Sequence, residues 1–405
     1  MMITLIGGKM EVYLDNAATT ALCKEAFETM QNTMFSDFGN PSSLHLKGVK
    51  ASEYVKNAKQ AIAKELKCLE KEIVFTSGGT ESNNMALIGA AYANRRKGMH
   101  IISTSYEHAS VYNPLIYLEQ QGFEVTYISV DENGQIKPEE LAETVREDTI
   151  LVSMMYVNNE VGAVLDIAGL SAVVKAKNQD ALFHCDAIQA FPKYKIVPKK
   201  CGIDLMSVSS HKFSGPKGCG FLYIRDKVKV NPIIHGGGQQ NNMRSGTENV
   251  TGIAGMAAAM KVYADKRNEY VNHMYELKLR FVEGLKDVEG LVINAVYDEL
   301  ADELSLKDRV KMTAPHIISV SFPKARSEVF LHALEMKGIY CSSGSACSSN
   351  HPAISGTLKA IGVKDEYLDT TLRFSLSPET TVEEIDYAVA VIKEQLPIYM
   401  KFYRK

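Results

Sequence analysis

The chain has 405 residues, 45% of them hydrophobic and 23% charged, an ordinary globular composition long enough for two or three domains with a buried core. Its 45 Lys and Arg against 48 Asp and Glu leave a formal net charge of -3, so no overall field favours nucleic acid or anionic lipid, and a small neutral or zwitterionic substrate fits better. Seven scattered cysteines do not make a secreted disulfide framework, and no apolar run reaches the roughly 18 residues of a membrane span, so the expected setting is a reducing cytoplasm without membrane attachment.

Met1–Gly8 is too short and uncharged for a signal peptide. Gly7-Gly8-Lys9 reads as a translated purine-rich ribosome-binding site, so Met10, which opens the strand-like Glu11–Asp15, is the expected start of translation. From Ile73 to Ile224 short β-rich runs alternate with helical patterns. Strands are expected at Ile73–Thr76, Ile101–Ser105, Val125–Val130, Ile150–Val157, Ala181–Cys185, Leu205–Ser209 and Gly220–Ile224. Helices are expected at Glu81–Arg96, Pro114–Gln121, Pro138–Val145 and Ala168–Asn178, with Pro or small polar residues near their starts. This is the pattern of parallel βαβ units, an open α/β sheet covered on both faces. After Gly255 it changes to a long charged helix at Val262–Leu285, strands near Leu291–Ile293 and Ile317–Phe322, and a terminal helix from Val382, which reads as a smaller α+β domain. The polar stretch Asp298–Met312 reads as a surface insertion.

In open α/β sheets ligands collect beyond the carboxyl ends of the strands. Phe75 runs into Ser77-Gly78-Gly79-Thr80-Glu81, where glycines let backbone approach a ligand and the next helix offers free N–H groups to a phosphate. Taken alone, a Gly-Gly turn is more often a plain helix start, and the Gly-Lys-Ser/Thr ending of a nucleotide P-loop is missing. Later strand ends carry Glu107-His108, Asn158-Asn159-Glu160, Asp186 with Gln189, and Ser209-Ser210-His211-Lys212. Each has a bland reading as cap, surface or solvated residue. Together they match what pyridoxal phosphate asks of a protein: a lysine for the Schiff base, a carboxylate at the pyridinium nitrogen and donors for the phosphate. On this reading Lys212 forms the imine, Asp186 keeps the ring nitrogen protonated, and His108 stacks on the ring. Ser209, His211 and the Gly79-Thr80 backbone hold the phosphate.

The segment Cys341-Ser342-Ser343-Gly344-Ser345-Ala346-Cys347-Ser348-Ser349 has nothing bulky enough to anchor a core, and reads as a flexible loop with an exposed thiol at Cys347. Cys341, beside strand-like Ile339-Tyr340, reads instead as a small buried hydrophobe. A zinc site through Cys341, Cys347 and His351 lacks a fourth ligand, and no metal is expected. Arg373 follows a strand-like run and suits either a bidentate grip on a substrate carboxylate or a surface salt bridge.

These residues make the chain recognisable, because it resembles the cysteine desulfurases of the NifS/IscS type, in the fold-type I, class V aminotransferase superfamily. The matching segments are Tyr13–Thr20, Asn40–Ser43, Thr76–Asn83, Glu107-His108, Val157–Gly162, Asp186–Gln189, Ser209–Lys212, Arg244–Asn249 and Ser343–Ser348. The resemblance implies a large α/β domain at 25–262 with a mostly parallel seven-stranded sheet. It also implies a small α+β domain at 10–24 and 263–405 carrying the cysteine loop, with 1–9 as an extra segment. It implies pyridoxal 5'-phosphate as cofactor, with Lys212, His108 and Cys347 as catalytic residues. Gly79, Thr80, Asn159, Asp186, Gln189, Ser209 and His211 would bind the cofactor, and Thr247 would reach the partner subunit's site in a homodimer. Asn159 and Arg373 would bind L-cysteine, whose sulfur passes to Cys347 as a persulfide and then to an iron-sulfur scaffold or another acceptor protein. Within the same fold, a class V aminotransferase or selenocysteine lyase is the rival; transamination needs no cysteine loop, so Cys347 argues against it. A non-catalytic docking subunit would not need Lys212, Asp186, His108 and Cys347 intact. The chain departs from its relatives at Gln240-Asn241-Asn242, where they usually carry an acidic residue, a basic residue and glycine, a difference that bears on loop conformation. The tail after Pro397 shows no long extension of the kind IscS uses to dock its scaffold, which leaves the sulfur acceptor open.

Overall fold

A computed structural model of the chain describes residues 5–6, 9–343 and 354–401. Its main sheet has seven strands: β1 (Ile73–Thr76), β2 (His100–Thr104), β3 (Glu124–Ile128), β4 (Thr149–Met155), β5 (Leu182–Asp186), β6 (Leu205–Ser209) and β7 (Gly220–Ile224). They lie side by side in the order β1-β7-β6-β5-β4-β2-β3. All adjacent pairs are parallel except those of β7, which runs antiparallel to β1 and β6. The link from Ser209 to Gly220 is too short for the dozen-residue crossover that a parallel neighbour needs. β1, β2, β4 and β6 are buried along their whole length, as expected of apolar strands covered on both faces, whereas edge strand β3 is exposed at Glu124.

Two helices start a turn or more before their sequence signals. The helix expected from Pro114 spans Ala109–Gln120, with Pro114 inside it and His108 as its N-cap; the imidazole Nδ1 accepts the Ser110 N–H at 3.0 Å. The long helix expected from Val262 spans Val250–Leu285 and is capped by the Asn249 side chain. Its first turns give no amphipathic signal because Gly252–Met256 is buried in an unbroken run. No helix among the described residues is long and apolar enough to cross a membrane.

A second, antiparallel sheet has the order β8 (Val292–Ile293), β9 (Ile317–Ser321), β10 (Thr371–Ser375). Val12–Tyr13 pairs in parallel with Ile339–Tyr340, and Asp15 bridges to Ser375, so the start of the chain is stitched to its C-terminal part. The stretch Asp298–Met312 is not simply a surface insertion: its short helix Leu306–Lys311 buries Arg309 and Val310, and Arg309 pairs with Asp298. A run of charges concealed two packed residues. Gln240, Asn241 and Asn242 take φ of 48°, 56° and 64°, so three residues with side chains occupy the left-handed region where glycine would be relaxed. Gln240 is buried there, between the Phe75 N–H and the Glu248 carboxylate.

Candidate active site

β1, β2, β4, β5 and β6 end at one rim, and the residues that follow them open onto a cavity of about 370 Å³, within the size range of small-ligand sites. Its lining includes Gly79, Thr80, His108, Asn159, Asp186, Gln189, Ser209, His211, Lys212 and Arg373. Of the residues expected from the sequence, Thr247 is exposed and does not line this cavity, and Cys347 lies outside the described residues.

The Lys212 amine donates to the Ala17 and Ala18 carbonyls at 2.7 and 2.8 Å. Asp186, at the end of β5, is 5% exposed. It accepts from the Asn83 amide at 2.8 Å and the Ile188 N–H at 2.9 Å. Burial pushes its carboxyl upward, against the pull of those two donors, His108 and Lys212. A buried carboxylate held in this way calls for a cation opposite it, and the protonated nitrogen of a pyridine ring is such a cation. Asn83 also donates to Ser110 Oγ at 2.9 Å, and Ser110 Oγ lies 2.8 Å from His108 Nδ1. Because Nδ1 already accepts the Ser110 N–H, a neutral His108 carries its proton on Nε2.

At the other end, Gly78, with φ of 147°, turns β1 into a helical run continuous from Gly79 to Asn94. The first N–H groups of that run have no intrahelical acceptor. Ser209 and His211 stand beside them in the cavity wall. Burial and the neighbouring Lys212 and Lys217 push His211 down to about 4, so it is a neutral donor or acceptor. The donor set, the lysine and the buried carboxylate fit pyridoxal phosphate.

Arg373 is 6% exposed, so the surface salt bridge that its sequence context allowed is ruled out. Its guanidinium donates to the Asn159 carbonyl at 2.9 Å and to Asp15 at 2.8 Å, and its Nε has no partner among the described residues. Ser342, also in the cavity wall, exchanges backbone hydrogen bonds with Arg373. Ser355 and Thr357 bond the Glu160 carboxylate. Of the described residues flanking 344–353, Ser342 thus lines the cavity, and Ser355 and Thr357 hold Glu160, the residue after cavity-lining Asn159. Cys341, expected as a small buried hydrophobe, is partly buried and packs against the core, and burial raises its thiol.

Glu107 is a group whose role the sequence did not disclose. Oε1 accepts from the Thr104 hydroxyl at 2.7 Å and the Met155 N–H at 2.9 Å, while Oε2 has no partner among the described residues. Burial raises its carboxyl to about 8, opposed by the Thr104 hydroxyl and reinforced by the charge of Asp186. The folded state therefore binds a proton that the unfolded state has released above its ordinary range, and stability falls as pH rises toward about 8. Glu107→Gln should flatten that decline, which amounts to a few kcal/mol at most. Calorimetric Tm values of the cofactor-free protein between about pH 5 and pH 8 check this; parallel Tm curves for variant and parent would refute it.

Asp15, Asn83 and Ser110 were not picked out as site residues, although Asp15 and Asn83 lie inside conspicuous motifs. Short polar residues at turns and helix starts are too common for the sequence to single out the ones that touch a ligand's holders.

Residues 12–388 match the Aminotransferase class-V family. The chain is 41% identical over 385 residues to a protein named cysteine desulfurase IscS from Dictyoglomus turgidum, covering 95% of this chain and 94% of that one. Among solved structures, a "NifS-like protein" superposes with a TM-score of 0.88 at 37% identity, covering 96% of this chain and all (100%) of the other. One described as "SspA in complex with cysteine" superposes with a TM-score of 0.75 at 31% identity, covering 91% and 100%.

Proposed function

This chain belongs to the aminotransferase class-V family, and we propose that within it the protein is a pyridoxal-phosphate-dependent cysteine desulfurase that converts L-cysteine to L-alanine and takes the sulfur onto Cys347 as a persulfide. The observation that carries this reading is the convergence of the Lys212 amine, the buried Asp186, His108 and the buried Arg373 on one cavity. Relatives named for the same reaction, and one solved in complex with cysteine, support it.

When bound, pyridoxal phosphate supplies a carbon that captures amines and a protonated ring that withdraws electrons from the substrate. Asp186 keeps that ring protonated, and Asn83 and the Ile188 N–H keep Asp186 in place. The Gly79 and Thr80 backbone, Ser209 and His211 hold the phosphate. Lys212 would be the amine that holds the cofactor, and its Nζ, kept in the cavity wall by the Ala17 and Ala18 carbonyls, would move the proton at the substrate Cα. Arg373 grips the substrate carboxylate with Asn159 beside it, which fixes one end of the cysteine in the cavity. The Cys347 thiolate attacks that sulfur, the Cβ–S bond breaks, and Cβ takes the electron pair and then a proton. His108 Nε2 is the nitrogen free to move protons during this exchange, since Nδ1 is occupied.

A process of elimination also favours Cys347. Burial raises the thiol pKa of Cys23, Cys68, Cys185, Cys201, Cys219 and Cys341, and none of them lines the cavity. Only the thiolate is the nucleophile. The protein works as a homodimer in which the exposed Thr247 reaches the partner subunit's site, and it passes sulfur to an iron-sulfur scaffold or another acceptor protein.

Mass spectrometry after treatment with L-cysteine tests the reading: one sulfur should be added to the peptide containing Cys347, with alanine released. Sulfur on another cysteine, or none with alanine still formed, would refute the acceptor assignment. Arg373→Leu should raise KM for L-cysteine roughly 100-fold with a smaller change in kcat, since two charge-assisted hydrogen bonds are lost from binding. Steady-state alanine formation measures the split, and an unchanged KM would remove Arg373 from the substrate site.

A further inference from the structure

Gln189 lines the cavity beside Lys212, and its amide is held from both sides. Its Nε2 donates to the Ala17 carbonyl at 2.9 Å, the same oxygen that accepts from Lys212 Nζ. Its Oε1 lies 3.1 Å from Nε2 of His316, a residue just ahead of β9 that is 1% exposed. The amide cannot be flipped, because that would set two carbonyl oxygens against each other at Ala17. His316 Nε2 must therefore be the donor. The ring is neutral, since it is buried and faces Lys193, Lys278, Arg373 and Lys212, all of which push its pKa far down. A neutral imidazole has one proton; with that proton on Nε2, Nδ1 is bare, in keeping with its having no partner among the described residues.

We infer that His316 is a positioning residue for the cofactor: by giving its single proton to Gln189 Oε1, it keeps the Gln189 N–H groups turned toward Lys212. One N–H serves Ala17, and the other is left for the ring oxygen that neighbours the carbon captured by Lys212. An N–H donor there stabilises the oxygen's anionic form and lowers the pH at which the proton shared by that oxygen and the lysine nitrogen is lost. The inference rests on the cofactor assignment above, not on the identity of the sulfur acceptor.

The test uses the cofactor-loaded protein and follows the pH midpoint of its visible absorbance. His316→Leu fills the space but cannot donate, so Gln189 is free to turn, and the midpoint should rise by about half a unit to one unit. His316→Gln, which restores an N–H at similar reach, should bring it back toward the parent value. Equal shifts in both variants, or none in either, would overturn the inference. Should the leucine variant fail to fold, ¹⁵N-histidine NMR of the unmodified protein decides, with the His316 signal identified by its loss in His316→Gln. A ring protonated on Nε2 alone is the expected result; a proton on Nδ1 would overturn the inference. A parent protein that takes up no pyridoxal phosphate would bring down the functional reading itself, whereas unchanged midpoints in coloured variants would bring down this inference alone.

Discussion

Lys212→Ala is expected to yield a folded protein that no longer attaches pyridoxal phosphate covalently and forms alanine at least about a thousandfold more slowly. Among the described residues, the substitution removes the only side chain in the cavity wall with an amine. It also deprives the Ala18 carbonyl of the lysine donor, while the Ala17 carbonyl keeps Gln189. Loss of the donor at the Ala18 carbonyl costs about 1 kcal/mol, small against the stability of a folded domain. Borohydride reduction followed by peptide mapping makes the test specific, because a second buried amine lies close by. Lys193 donates to the Lys212 backbone carbonyl at 3.0 Å, and burial together with the Lys212 charge pushes it down to about 7. An amine so easily neutralised is a chemically credible rival. Reduced cofactor on the Lys193 peptide of the parent protein would overturn the assignment; cofactor on the Lys212 peptide, absent from the variant, is the expected result.

Cys347→Ser should keep the colour of the bound cofactor and the binding of L-cysteine, yet lose alanine formation by about a thousandfold or more. A serine hydroxyl stays protonated near neutral pH and is a poor nucleophile toward sulfur, so the Cβ–S bond has no acceptor for its sulfur. The described cysteines do not substitute readily. Cys341, the one nearest in sequence, is packed against the core with its thiol pKa raised by burial. Absorbance changes on adding cysteine would show that binding and the early steps survive, which separates the acceptor role from a structural one. Turnover at the parent rate would end the proposal that Cys347 carries the sulfur.

The strands and the residues at their ends were legible because both signals are local. Apolar runs of strand length stood out between helical patterns; an aspartate closed one of them, and a lysine and a histidine followed two others within four residues. The long helix was legible only over its amphipathic part, since the buried run Gly252–Met256 has no polar face to reveal its period. Arg373 was open to two readings until its burial excluded the surface one.

What the sequence determined by itself was the order of the strands along the chain and the chemical groups delivered to their carboxyl ends. The tertiary structure alone decided which groups hold those groups. Asp15 meets Arg373 across 358 positions, Asn83 meets Asp186 across 103, and His316 meets Gln189 across 127. Each pairing depends on three-dimensional proximity and on a buried polar atom finding a partner, and neither condition leaves a mark in the spacing of residues. The same holds for Glu107, whose retained proton comes from removal of water around it. Local sequence can state that a carboxylate is present, but its charge is a property of what surrounds it.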